Sequence, residues 1–329
     1  LGTSALDNVS RSAALSRVIL NPHTFLRQFL KSITTVIADI YGLFTNPQPF
    51  AKKDIEAFGQ RLATHVSNRI SEERGTPTLR LSNLGAACDR KLWLQINRPE
   101  TAASLPPATR FKFLYGDILE ELVLFLAKVA GHKVSSSQQT VSVNGVKGHI
   151  DAILDGHLVD VKSASPYSFN KFKSHGLEAD DPFAYRTQLG SYLHACQDDP
   201  ELKEKDVASF LAVDKTLGHM CLDTHPKNDT DYDALVDQKR TMLAEATPPD
   251  RPFTGKAEGK SGNRSLETIC SYCDHKFDCW SDANDGKGLR TFLYSTGPRF
   301  LTEVIKEPAV IEVNQAGEVV STKAEGDPF

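Results

Sequence analysis

Gly148-His149-Ile150-Asp151-Ala152-Ile153-Leu154-Asp155-Gly156-His157-Leu158-Val159-Asp160-Val161-Lys162 is the stretch from which the rest of the chain can be read. Asp-Gly between two apolar runs is a strong short-range hairpin signal, because both central residues of a type I′ turn need positive φ. With the turn at Asp155-Gly156, Leu154 faces His157, Ile153 faces Leu158 and Ala152 faces Val159. Continued outward, Asp151 faces Asp160 and His149 faces Lys162. Side chains alternate along a strand, so these last four residues project from one face. Two carboxylates directly opposite each other repel. A shared hard divalent cation relieves that repulsion, and a lysine beside it can stabilise charge on a transferring phosphoryl group or orient the attacking water. The same alternation also fits the solvated polar face of a meander, whose register can slip.

Upstream, Asn144-Gly145 is a second hairpin signal, and the two turns divide residues 133–164 into three strands of a meander. Before them, a helix is expected from Pro107 or Arg110 to Ala130, stopped by Gly131. In the segment from Thr76 to Gln95, Ser82 has the character of a helix N-cap and Cys88 follows on the next turn. Residues 1–75 read as helical: Phe25, Phe29, Ile33 and Val36 recur at helical spacing, and a second helix runs from Lys52 to Ile70. They carry no visible chemistry and form an arm or cap.

Downstream, the pattern predicts a helix over Pro182–Cys196, strands over Val207–Val213 and His219–Asp223, and a helix over Tyr232–Ala246. Residues 247–268, rich in Pro, Gly, Lys and Ser, read as an exposed loop. The tail has strand-like runs at Ala309–Val313 and Glu318–Thr322.

The 329 residues are 40% hydrophobic and 24% charged, enough to bury a core. A net charge of −4 argues against coating nucleic acid by charge alone. It is compatible with a metal site, where clustered carboxylates offset basic residues. No apolar run has the length of a membrane span, so the expectation is a soluble cytoplasmic protein. Six cysteines are too few for a disulfide scaffold, and three of them, Cys270, Cys273 and Cys279, are clustered as in metal or cluster binding.

Gly148-His149-Ile150-Asp151 followed by Asp160-Val161-Lys162 resembles the second and third motifs of the PD-(D/E)XK nucleases. The likeness is to the RecB-type branch, which includes the AddB nuclease domain and the CRISPR-associated RecB-like exonucleases. It implies that Asp151 and Asp160 bind Mg²⁺ or Mn²⁺, that the Val161 carbonyl is a further ligand, and that Lys162 is catalytic. Gln188-Leu-Gly-Ser-Tyr192 is similar to the Gln-x-x-x-Tyr motif of that branch, its Gln and Tyr sharing a helix face. Upstream, Glu120 stands where RecB-type proteins commonly carry His and phage-type relatives often carry Glu. It is taken as the third acidic group, with Glu121 as its rival.

Cys88 followed at a distance by Cys270, Cys273 and Cys279 resembles the one-plus-three iron–sulfur staple of the same branch. Four thiolates suit a 4Fe–4S cluster; tetrahedral zinc, with His275 nearby, is the competing reading. Cys196 and Cys221 read as buried small residues. Arg90, Lys91, Arg110 and Lys112 are candidate DNA-phosphate contacts, with Lys171 and Lys173 in the same class.

The expected fold is α/β: a PD-(D/E)XK restriction-endonuclease-like core with a mixed sheet flanked by helices carrying Glu120 and Gln188. Its expected divisions are an N-terminal helical region (1–75), a RecB-like nuclease domain with the iron–sulfur site (76–295) and a C-terminal β extension (296–329). The implied activity is a metal-dependent DNA exonuclease acting on ends or single strands, in recombination, repair or CRISPR-type end processing, and in the host cytoplasm if phage-encoded. The alternatives are a non-catalytic iron–sulfur DNA-binding or assembly module, and a structure-specific endonuclease.

Overall fold

The computed structural model describes residues 31–71 and 76–321. Phe25 and Phe29, and the rest of residues 1–30, lie outside the described residues. The centre is a five-stranded mixed sheet in the order β1 (Val134–Ser135), β4 (Ala152–Leu154), β5 (His157–Ala164), β6 (Val207–Asp214), β7 (Met220–Pro226). β5 and β6 are parallel and the other pairs antiparallel.

The decisive hairpin forms in the expected register, with Ala152 opposite Val159, Ile153 opposite Leu158 and Leu154 opposite His157. Asp155 and Gly156 have φ of +52° and +90°, the positive values that a type I′ turn demands. Asn144 and Gly145, at +45° and +76°, close the other hairpin, β2 (Thr140–Val143) with β3 (Val146–His149).

One expectation fails here. The three-strand meander is broken between the hairpins: β2 and β3 make their own two-stranded sheet, and the main-sheet strand starts afresh at Ala152. Ile150 N–H donates to Gln139 O (3.1 Å) and Gln138 N–H to Asp151 O (3.2 Å), bridging the break. The cause is burial. Ile150 and Ile153 both enter the core cluster on one face of the sheet, while Ala152 and Leu154 enter the cluster on the other. An uninterrupted strand would place Ile150 with Ala152. His149 therefore pairs with Thr140, is exposed, and does not face Lys162.

The parallel β5–β6 pair requires a crossover, made here by two helices, α5 (Pro166–Lys173) and α6 (Tyr185–Ala195). These cover the face carrying Ile153, Leu158 and Phe210. The opposite face is covered by α4 (Pro107–Val129) through Val123, Leu124 and Ala127, with α1 (Val36–Thr45) contributing Val36 and Ile40.

α2 (Lys52–Ser71) lies along α4. Arg61 pairs with Glu121 (2.6 Å), Arg69 with Asp117 (2.7 Å), and the Phe58 ring stacks on Phe125 at 4.5 Å. The described part of the N-terminal region is thus a cap on the core rather than a free arm.

Ser82 lies within a 3-10 turn, Leu81–Asn83, and is not the expected cap. The N-cap of α3 (Asp89–Asn97) is Cys88, whose Sγ accepts from Lys91 N–H at 3.3 Å. Downstream, α7 (Tyr232–Ala244) lies within the predicted span.

A second, six-stranded sheet has the order β13 (Val319–Ser321), β12 (Glu312–Val313), β10 (Arg290–Tyr294), β11 (Gly297–Glu303), β9 (Arg264–Ser265), β8 (Lys256–Ala257). It draws β8 and β9 from the segment expected to be a loop, since two-residue strands are too short to show alternation. A boundary at 295/296 would cut the turn between β10 and β11; the C-terminal sheet begins at Lys256. Among the described residues no helix is long and apolar enough to cross a membrane.

Candidate metal centre and cysteine cluster

Asp160 and Lys162 project from β5 toward α6, two residues apart on one face. Lys162 Nζ lies 2.7 Å from Asp160 Oδ1. Asp151 sits just before β4. Because β4 begins only at Ala152, Asp151 is not paired with Asp160 in the strand ladder as expected; instead its Oδ2 accepts from Val161 N–H at 2.7 Å. The break in the strand thus leaves the two aspartates beside each other and fixes Asp151 through the backbone of its partner strand. The Val161 side chain enters the opposite core.

Gln188 of α6 donates through Nε2 to Asp160 Oδ2 and to Tyr192 Oη, both at 3.2 Å. Tyr192 is buried. Gly148 makes room for it: a Cβ there would stand 2.7 Å from Tyr192 Cε1 and 2.9 Å from Leu81 Cβ. Glu120 enters from α4 and accepts a hydrogen bond from the Gln138 side chain. Glu121, its rival, is buried against Arg61 (2.6 Å) and His65 (3.4 Å), a tie between α2 and α4.

The electrostatics follow from gathering three acids, Asp160 buried and Glu120 and Asp151 half-buried, beside one base. Burial, then the charges of Asp151 and Asp160, push the Glu120 carboxyl up to about 9. Burial and Asp160 push Asp151 up to about 7, against the opposing pull of Lys162 and the Val161 N–H. For Lys162, burial works against the charged form, but Asp160 and Asp151 outweigh it and hold the ammonium above its ordinary value. Burial and Asp160 raise the Tyr192 hydroxyl to about 12. Fully ionised, these carboxylates would carry more negative charge than one lysine balances, so they hold protons unless a hard divalent cation takes their place.

Sequence reasoning singled out neither Gln138, whose φ is +54°, nor Tyr185, whose ring centroid lies 4.9 Å from Lys162 Nζ. Only the spacing of Tyr185, Gln188 and Tyr192 along one helix carried a signal for the latter.

The four cysteines come from three places: Cys88 at the start of α3; Cys270 within α8 (Thr268–Ser271), with Cys273 just beyond it; and Cys279 at the end of α9 (Lys276–Cys279). All four line one cavity of about 830 Å³ that also reaches Tyr185. Burial, then the neighbouring Cys88, Cys273 and Cys279, pushes the Cys270 thiol up to about 12. Cys273 is raised to about 11 by burial, and burial also raises Cys279 despite Arg90 beside it. Thiols gathered in this way become thiolates when a metal or cluster supplies positive charge. Among the described residues, no group of three or more His, Cys, Asp or Glu side chains, at the carboxylates or at the cysteines, is placed so that it could hold a metal ion as it stands.

His275 bonds Thr101 through Nδ1 at 2.9 Å and does not line this cavity. Cys196 is buried at the end of α6, and Cys221 lies half-buried on β7. Arg90 donates to Pro249 O (2.8 Å) and, with Lys91, is turned toward the cysteines. Arg110 is exposed at the start of α4 and donates to Arg69 O (2.9 Å); Lys112 is exposed beside it.

No known family matches this sequence, and no curated protein does. Among solved structures, the crystal structure of SSO0001 aligns at a TM-score of 0.35 and 15% identity, covering 65% of this chain and 92% of that one. A likeness at that level carries no argument about this chain.

Proposed function

We propose that this chain is a metal-dependent DNA nuclease of the PD-(D/E)XK type, hydrolysing phosphodiester bonds at DNA ends. The observation that carries the reading is the convergence of Glu120, Asp151, Asp160 and Lys162 with Gln188 and Tyr192 behind them. A solvated polar strand face would not bury Asp160, would not gather acids from separate elements, and would not raise their proton affinity.

Glu120, Asp151, Asp160 and the Val161 carbonyl would hold one or two Mg²⁺ or Mn²⁺ ions, which when bound supply an acidified water and offset phosphate charge. Lys162 holds a permanent positive charge beside the site, where it stabilises the charge that develops on the phosphoryl oxygens or orients the attacking water. Gln188 fixes the rotamer of Asp160, and Tyr192 fixes Gln188. The product carries a 5′-phosphate on this reading. Arg110 and Lys112 at the start of α4 are the exposed phosphate contacts; Arg90 and Lys91 serve the cysteine site instead.

The cysteine set fits a 4Fe–4S cluster by its all-thiol composition. Cys88, Cys270, Cys273 and Cys279 would then tie the segment before the core to the segment after it, closing a long loop.

The test is cleavage of linear single- and double-stranded DNA, labelled separately at each end, with Mn²⁺. Wild type releasing label while Lys162→Ala releases at least ~100-fold less is the expected result. Equal cleavage by both removes Lys162 from the mechanism. Binding without cleavage by wild type replaces the nuclease with an iron–sulfur DNA-binding module.

A further inference from the structure

Lysine is a flexible four-carbon stem with a compact charge, so Asp160 alone does not fix where the Lys162 ammonium sits. Two aromatic faces bound it: the Tyr185 ring, with its centroid 4.9 Å from Nζ, and the Phe210 ring, at 5.9 Å. A ring face attracts an ammonium through its quadrupole, most strongly where water is excluded. Phe210 is wholly buried in the sheet. Tyr185 is not a core residue: it is half-buried and lines the cavity that reaches the cysteine cluster.

The placement of Tyr185 is over-determined. Asp181 accepts from the N–H groups of Tyr185 (2.9 Å) and Arg186 (2.8 Å), and Ala184, at φ +55°, turns the chain sharply into α6. Phe172, Phe183 and Phe210 pack around the ring at centroid distances of 5.9, 5.6 and 6.0 Å. Tyr185, Gln188 and Tyr192 fall at i, i+3 and i+7, one stripe of one helix. A single helix face therefore addresses both halves of the Asp160–Lys162 pair: Gln188 touches the carboxylate and Tyr185 faces the ammonium.

We propose that Tyr185 is a positioning residue for Lys162, its ring face confining the ammonium to the Asp160 side of the site. The claim that this serves cleavage rests on the nuclease reading; the claim that the ring holds Lys162 does not. The ring, not the hydroxyl, is what acts.

Tyr185→Phe, Tyr185→Leu and Tyr185→Met are compared with wild type on one linear DNA with Mn²⁺, thermal unfolding confirming that each is folded. The expected result is wild-type kcat for Tyr185→Phe and a kcat lower by about tenfold for the other two, with KM unchanged. In a Lys162→Ala background, Tyr185→Leu should have no further effect. Wild-type kcat in Tyr185→Leu and Tyr185→Met, or an equal loss in Tyr185→Phe, overturns the proposal.

A second readout needs no cleavage. In lysine-selective ¹³C spectra, the Lys162 εCH₂ signal, assigned by its loss in Lys162→Arg, should be ring-shifted upfield in wild type and Tyr185→Phe and return toward the ordinary lysine position in Tyr185→Leu. An unshifted wild-type signal overturns the placement. A shifted signal in a wild type that cleaves nothing leaves the placement standing and removes only the nuclease.

Discussion

Binding of a divalent ion at Glu120, Asp151 and Asp160 should expel protons, and the number is set by the site itself. With Glu120 pushed up to about 9 and Asp151 to about 7 by burial and mutual repulsion, a bound cation must displace about one proton near pH 7.5, more at pH 6 and fewer at pH 8.5. The sign follows from the direction of the shifts. Both carboxyls are raised by burial and mutual repulsion, so both hold protons in the pH range where a free carboxylate holds none. The cation competes with those protons and wins more easily as pH rises. Apparent affinity therefore increases by roughly tenfold per unit near pH 7.5.

The assay is titration calorimetry with Mg²⁺ or Mn²⁺ in two buffers of different ionisation enthalpy, with the cysteine site filled beforehand so that only the carboxylates respond. The dependence of the observed heat on buffer enthalpy gives the protons released. Glu120→Gln should remove about one of them at pH 7.5 and weaken binding at least ~10-fold. Binding with no proton release at pH 6, or release unchanged in Glu120→Gln, would show that these carboxyls are not where the ion sits.

Gly148→Ala should drive a methyl into Tyr192 Cε1 and Leu81 Cβ, destabilising the fold by about 1–3 kcal/mol and lowering cleavage through the displaced Tyr192–Gln188 bond; an unchanged melting temperature refutes this. Cys273→Ser should lose the iron and the visible absorbance of an anaerobic preparation and melt lower than wild type; colourless wild type with stoichiometric zinc would instead establish a zinc site. His157, whose Nε2 meets Ser209 Oγ at 2.8 Å, is held below its ordinary value by burial. Its neutral form therefore favours the fold above the unfolded value of about 6.5, and that contribution is lost as pH falls below it. The melting-temperature gap between wild type and His157→Gln should narrow between pH 7.5 and 5, and a constant gap would contradict the assignment.

What the sequence determined by itself was local. Asp155-Gly156 set a turn because positive φ is chemically specific, and strict alternation then set which residues of the hairpin share a side, so Asp160 and Lys162 project from one face. The spacing of Gln188 and Tyr192 within one helix was legible for the same reason. Tertiary structure decided everything that depends on which surfaces must be buried together. Ile150 had to join Ile153 in one core, and that demand broke the strand, expelled His149 and aimed the Val161 N–H at Asp151. That Glu121 is taken up by Arg61 and His65 depended on α2 packing along α4. The gathering of Cys88 with the distant trio, the aromatic wall of Tyr185 and the sheet built from two-residue strands arise from contacts between segments far apart in the chain. Backbone periodicity encodes the direction of a side chain from its own strand or helix; it does not encode which element will pack against it.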